Sequence, residues 1–245
     1  MIHLKTRHLS LWFICTIAIG LFMCSCAHRS GHSSRNGKSS RARSEVRPEL
    51  SSRMERKATK KLEGREIYRR CKSSVFLLFS DTGDEIWYGG GFFIGSDGLA
   101  VTNYHVFANT SPLNSSVKLY GSDTPYKIKE VLKADEDEDF VIFRIDYDNM
   151  NYIPLASKKP EVGDKVYAIG CPEGLESTFS SGNVSGWREN DLMQISIPLD
   201  YGSSGGPLLN EYGEAVGLPC LRLVGNHADL NFAISVEAFK PYLQY

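Results

Sequence analysis

The chain has 245 residues, 42% of them hydrophobic, with 28 basic and 29 acidic side chains for a net charge of −1. That near-zero balance hides two opposite parts: Ala27 to Lys61 carries eleven Lys and Arg against three Glu, a net of +8, whereas the chain from Leu62 onward carries 15 basic against 26 acidic residues, a net of −11. An acidic domain behind a basic run without interleaved aromatic side chains argues against nucleic-acid binding, and two histidines with scattered cysteines beyond the run never approach metal-ligand spacing.

Lys5 and Arg7 precede a mostly apolar stretch from Leu9 to Met23. This is the basic n-region and short h-region of an export signal, and it falls short of the ~20 residues that span a bilayer. Residues 1–26 are therefore expected to direct export. Met23-Cys24-Ser25-Cys26 resembles a bacterial lipoprotein box, in which a cysteine after a small residue is lipidated and becomes the mature N-terminus. Cys26 is the expected attachment site, with Met23 where leucine is common; cleavage after Ala27, using Ser25 and Ala27 as the small pair, is the other reading. Residues 27–61, rich in Ser, Arg and Lys and almost devoid of large apolar side chains, are expected to form a disordered tether. Its charge is attracted to anionic headgroups while the acidic domain is repelled from them, which would hold the domain off a membrane surface. A plain soluble spacer is the alternative.

Residues 62–245 are enough for one sizeable core. A helix is expected near Glu63 to Lys72. Short apolar or alternating runs then follow at Ser74 to Phe79, Trp87 to Ile94, Leu99 to Phe107, Val117 to Gly121, Tyr126 to Leu132 and Phe140 to Ile145, and again at Lys165 to Ile169, Thr178 to Trp187, Leu192 to Ile197, Gly206 to Leu209, Ala215 to Leu223 and Leu230 to Ile234. This spacing predicts an all-β domain of two groups of six strands. Ser235 is placed to cap a short C-terminal helix over Val236 to Lys240.

Gly202-Ser203-Ser204-Gly205-Gly206-Pro207-Leu208 stands out within this domain. Glycines around Ser204 suit a hydroxyl held on a tight turn, backbone N–H groups aimed at a developing oxyanion and free approach of a carbonyl. A hydroxyl is a poor nucleophile without a base and a group to orient that base. Of the two domain histidines, His227 sits in a Gly-Asn-His-Ala loop, whereas His105 follows an apolar strand pair joined by a Ser-Asp-Gly turn. For the orienting acid, only the last of Asp135-Glu136-Asp137-Glu138-Asp139 abuts the apolar run Phe140 to Ile145, so Asp139 is the candidate.

The segments GGGFFIGSDGLAVTNYHV, DFVIFRI, VYAIGCPEG, GSSGGPLLNEYGEAVGL and LNFAIS, from Gly89 to Ser235, resemble the successive landmarks of HtrA/Deg-type trypsin-like serine peptidases. The resemblance implies two six-stranded antiparallel β-barrels with His105 and Ser204 on different barrels. It implies His105 as general base, Asp139 as orienting acid, Ser204 as nucleophile, and the N–H groups of Gly202 and Ser204 as the oxyanion hole. No cofactor is implied, and the partners would be polypeptide substrates, exported or misfolded.

The departures from the family pattern are equally specific. Ser203 stands where zymogen-activated relatives have an aspartate, and Pro198 where tryptic ones carry the aspartate that reads Lys or Arg. Cys220 falls near the position of a small polar residue that helps hold the acid, and the chain stops about ten residues after Ser235, where many HtrA proteins continue into a PDZ module. Cys71, Cys171 and Cys220 are an odd number, so at most one internal bridge forms among them, Cys171 with Cys220 being conceivable. A protease-fold binding or chaperone-like module for unfolded polypeptides is the competing function.

Overall fold

The computed structural model describes residues 60–245 except 82–85, 108–109, 148–150, 171–177, 190, 200–202, 225–228 and 244–245. The leader, Cys26 and almost all of the tether lie outside the described residues, as do Cys171, Gly202 and His227.

Six strands make the first barrel: β1 (Val75–Asp81), β2 (Ile86–Phe93), β3 (Leu99–Thr102), β4 (Ser116–Leu119), β5 (Pro125–Asp135) and β6 (Phe140–Ile145). They close in the order β1-β2-β3-β6-β5-β4, every pairing antiparallel. The second barrel joins β7 (Lys165–Gly170), β8 (Thr178–Trp187), β9 (Leu192–Ile195), β10 (Leu208–Leu209), β11 (Ala215–Val224) and β12 (Asp229–Ser235) in the order β10-β11-β12-β9-β8-β7. The two groups of six strands are thus two closed barrels, and closure leaves neither sheet an unpaired edge.

Why several of these strands read as unbroken apolar runs follows from the packing. Val141, Phe143 and Ile145 of β6 fill the first barrel with Phe76, Phe93 and Val117. Phe140 and Ile142, on the opposite face, join Phe92 and Val101 against Tyr167, Ile169, Leu209, Leu218 and Ile234 of the second barrel. In β7, Val166 and Ala168 point into the second barrel while Tyr167 and Ile169 face the shared layer. Strands buried on both faces lose the polar alternation of a half-exposed sheet. Each fully buried large apolar side chain contributes roughly 1.5–3 kcal/mol, so the layer between the barrels rivals their interiors in holding the domain together.

Helix α1 (Gly64–Cys71) closes over this layer with Ile67 and Cys71 buried, its far side carrying the Glu66 to Arg69 and Glu66 to Arg70 ion pairs. At the other end Ser235 Oγ does accept a hydrogen bond from the Glu237 N–H, but the turn it caps is a 3-10 turn, Val236–Ala238, followed by a second over Lys240–Leu243. Phe239, fully buried in the shared layer between the two, interrupts the helix. None of the helices among the described residues is long and apolar enough to cross a membrane.

Candidate active site

Strand β3 delivers the first group. Ala100, Val101 and Thr102 are buried, and the chain then turns through Tyr104–Phe107 in a 3-10 turn whose Val106 and Phe107 plug the first barrel. His105, between the buried strand and the buried plug, is left with its side chain 46% exposed. The expected strand from Leu99 to Phe107 is thus two elements, because burying Val106 and Phe107 in the barrel end requires the chain to turn.

Asp139 is the last residue of the turn joining β5 to β6. The turn is closed by hydrogen bonds from the Glu138 N–H to Asp135 Oδ1 at 3.1 Å and from the Asp139 N–H to the Glu136 carbonyl at 3.3 Å. Asp139 adopts φ 51, a left-handed conformation that aspartate tolerates better than most residues. Glu136, Asp137 and Glu138 are exposed. The Asp135 carboxyl is held below its usual range by the Glu138 N–H and by Lys133, so its charge serves the turn. Only Asp139 turns inward to the histidine.

The contact between the two is a double grip. The His105 backbone N–H donates to Asp139 Oδ1 at 2.9 Å, and His105 Nδ1 lies 2.8 Å from Oδ2 and 3.1 Å from Oδ1. A carboxylate only accepts, so the imidazole proton belongs on Nδ1 and the lone pair on Nε2.

Ser204 comes from the second barrel, on the loop entering β10. Its carbonyl accepts from the Gly90 N–H of β2 at 2.7 Å, while Thr102 Oγ1 of β3 donates to the Gly90 carbonyl at 2.6 Å. Gly205, at φ +82, is the point of closest approach: a Cβ there would lie 2.2 Å from the Gly90 carbonyl oxygen and 2.3 Å from Thr102 Oγ1. The glycine after the serine is therefore needed for the docking of the barrels, a demand beyond room for an incoming carbonyl. The turn places Ser204 beside the residues that lead into His105. Gly202, expected to share the oxyanion hole with the Ser204 N–H, lies outside the described residues.

Two further residues complete the surroundings. Asn103, fully buried, contacts both Asp139 and the Gly205 N–H. The Cys220 thiol, free, points to the Phe232 carbonyl at 3.7 Å; burial first, and the nearby Asp139 charge second, push it up to about 12. Cys220 thus lies close to the acid without donating to it in this arrangement, and Asn103 and the His105 N–H hold the carboxylate instead. Thr102, Asn103 and Gly90 all lie inside segments quoted above for their resemblance, yet the sequence assigned them no role. The polar pair Thr102-Asn103 at the end of an apolar run, one residue removed from the histidine, was the available signal. Among the described residues no three His, Cys, Asp or Glu side chains gather to hold a metal ion.

Residues 89–218 match the model of the trypsin-like peptidase domain, more than half of the chain. The chain belongs to the trypsin-like peptidase family. Among its relatives, serine protease HTRA1A of Danio rerio is 32% identical over 191 residues, which are 73% of this chain and 37% of that protein. The mitochondrial serine protease HTRA2 of Drosophila virilis is 32% identical over 169 residues, 64% of this chain and 39% of that protein. The fold of this chain resembles the crystal structure of the serine endoprotease from Yersinia pestis, with a TM-score of 0.64 and 25% identity over 71% of this chain and 63% of that one. The chain spans little more than a third of the length of the HTRA proteins it matches. The landmark segments from Gly89 to Leu218 fall within the stretch matched by the trypsin-like peptidase model, and LNFAIS lies beyond it.

Proposed function

We propose that the protein is a serine endopeptidase that cleaves polypeptides by acyl transfer through Ser204, His105 and Asp139. The observation that carries the reading is the His105–Asp139 grip at 2.8 Å, set on one barrel beside the glycine-flanked serine turn of the other. Ser204 Oγ attacks the scissile carbonyl as its proton passes to His105 Nε2, forming the C–O bond and a tetrahedral oxyanion. The Ser204 N–H, with that of Gly202, stabilises the oxyanion. Collapse breaks the C–N bond while His105 returns the proton to the leaving amine. Water, deprotonated by His105, then releases the acyl group and Ser204 regains its proton. Asp139 fixes the imidazole tautomer and stabilises the imidazolium in both halves.

The substrates are exported or misfolded polypeptides. Residues 1–26 direct export, Cys26 carries the lipid, and the basic tether links the peptidase domain to a bacterial cell membrane, in the periplasm or outside the cell. Digestion of a reduced, denatured protein by the full chain tests the activity: fragments from the wild type and none from Ser204→Ala are expected, and equal cleavage by both would sink the assignment. Mass spectrometry of the mature N-terminus tests the anchor, which predicts a lipidated Cys26 and is contradicted by a peptide beginning at His28.

A further inference from the structure

We propose that Asn103 is a positioning residue that locks the serine turn of the second barrel to the His105–Asp139 pair of the first through a single buried amide. This rests on the serine-peptidase reading of the site. Asn103 Nδ2 donates to the Asp139 carbonyl at 3.0 Å and to Asp139 Oδ2 at 3.2 Å, and Oδ1 accepts from the Gly205 N–H at 2.6 Å. Chemistry fixes which way the amide points. Turned over, its NH2 would face the Gly205 N–H and its oxygen would face two oxygens of Asp139, making both ends repulsive.

Each end of the amide meets a need created by the fold. Asp139 is held at φ 51, and the bond to its carbonyl pins the backbone in that conformation. Its carboxylate is gripped on Oδ1 by the His105 N–H and on Oδ2 by Asn103, so it cannot swing away from the imidazole. At the other end, among the described residues, the buried Gly205 N–H makes only a long contact, 3.4 Å to the Pro219 carbonyl, besides its bond to the Asn103 oxygen. A buried N–H without a good partner is costly, so this bond holds the turn that carries Ser204 in one conformation. Asn103 is itself carried rigidly, because the preceding Thr102 pairs with Val141 of β6 and bonds the Gly90 carbonyl. Base and nucleophile thereby share one anchor.

A double-mutant cycle on the full chain tests this, with the second-order rate of Ser204 phosphonylation by a fluorophosphonate, which displaces fluoride, as readout. Asn103→Ala is expected to slow labelling ~10–100-fold in the wild-type background, the scale on which loss of a hydrogen-bonded supporting residue acts. In the Asp139→Ala background it should cost less than about 5-fold, because residues that act as a unit do not add. A proton NMR spectrum supplies a readout that a purely structural role leaves alone. The carboxylate-bound His105 Nδ1–H, downfield of the amide envelope, should move or vanish in Asn103→Ala. Should the alanine variant fail to fold, Asn103→Asp keeps the shape and turns a donor into an acceptor against Asp139, and is expected to label slowly with the same displaced resonance. A folded Asn103→Ala within about 3-fold of wild type, or equal losses in both backgrounds, overturns the proposal. A folded wild type that is never labelled overturns the peptidase reading beneath it, whereas a reactive wild type with an unperturbed variant overturns the positioning role alone.

Discussion

The two barrels hold their halves of the site by different means. On the first, side chains do the holding: the Asp139 carboxylate meets the imidazole, the His105 N–H and the Asn103 amide. On the second, apart from the Asn103 oxygen on the Gly205 N–H, the serine turn is held by its backbone, through the Ser204 carbonyl on the Gly90 N–H and a glycine packed against main chain. Side-chain positioning fails when a functional group is changed without a change in shape. Backbone positioning fails when any atom is added. The two halves should therefore break under opposite kinds of substitution.

The largest effect is expected from the isosteric change Asp139→Asn. It keeps the shape of the turn but offers the imidazole the wrong partner, so the rate of Ser204 labelling should fall ~10³–10⁴-fold with the fold intact. Single-turnover labelling beside circular dichroism checks both parts, and a rate near wild type would deny the carboxylate its role. Next is Gly205→Ala, harmless chemically but adding a methyl 2.2 Å from the Gly90 carbonyl oxygen at φ +82. Loss of about 2–4 kcal/mol of stability together with loss of labelling is expected, read by urea unfolding; unchanged stability would show that the barrels do not meet backbone to backbone there. Thr102→Val keeps the volume and removes the hydrogen bond to the Gly90 carbonyl at 2.6 Å. It should cost about 1–2 kcal/mol, with a smaller effect on rate than Asp139→Asn.

The smallest effect concerns the thiols of Cys71 and Cys220, each pushed from 9.0 up to about 12 chiefly by burial. The folded state favours the neutral thiol, so the associated stability is complete below the unfolded value and is lost as the pH rises from about 9 toward 12. Between pH 8 and 10 each thiol should take away about 1 kcal/mol. The drop in stability over that interval should therefore be smaller in Cys71→Ala than in wild type; an identical drop would contradict burial of the neutral thiol. At pH 8 both should resist iodoacetamide until the protein is unfolded.

Much of the fold was legible because the barrels bury both faces of several strands, and runs such as Phe140 to Ile145 announce themselves by apolar character alone. The 3-10 turn at Tyr104–Phe107 was not, since a helical turn and a strand end look alike over four residues whose apolar members are both buried. Asp139 could be singled out by its place at the mouth of β6, although its left-handed backbone could not. Asn103 escaped altogether. Its partner Gly205 lies about a hundred residues away, and the contact exists only once two separately closed barrels have docked.

The most direct test of the account is reaction of the full chain with a fluorophosphonate followed by peptide mapping. The expected result is one adduct on Ser204, absent in Ser204→Ala and nearly abolished in His105→Ala. An adduct whose rate is indifferent to His105→Ala, or no adduct from a folded protein, would contradict the claim that the His105–Asp139 pair activates Ser204.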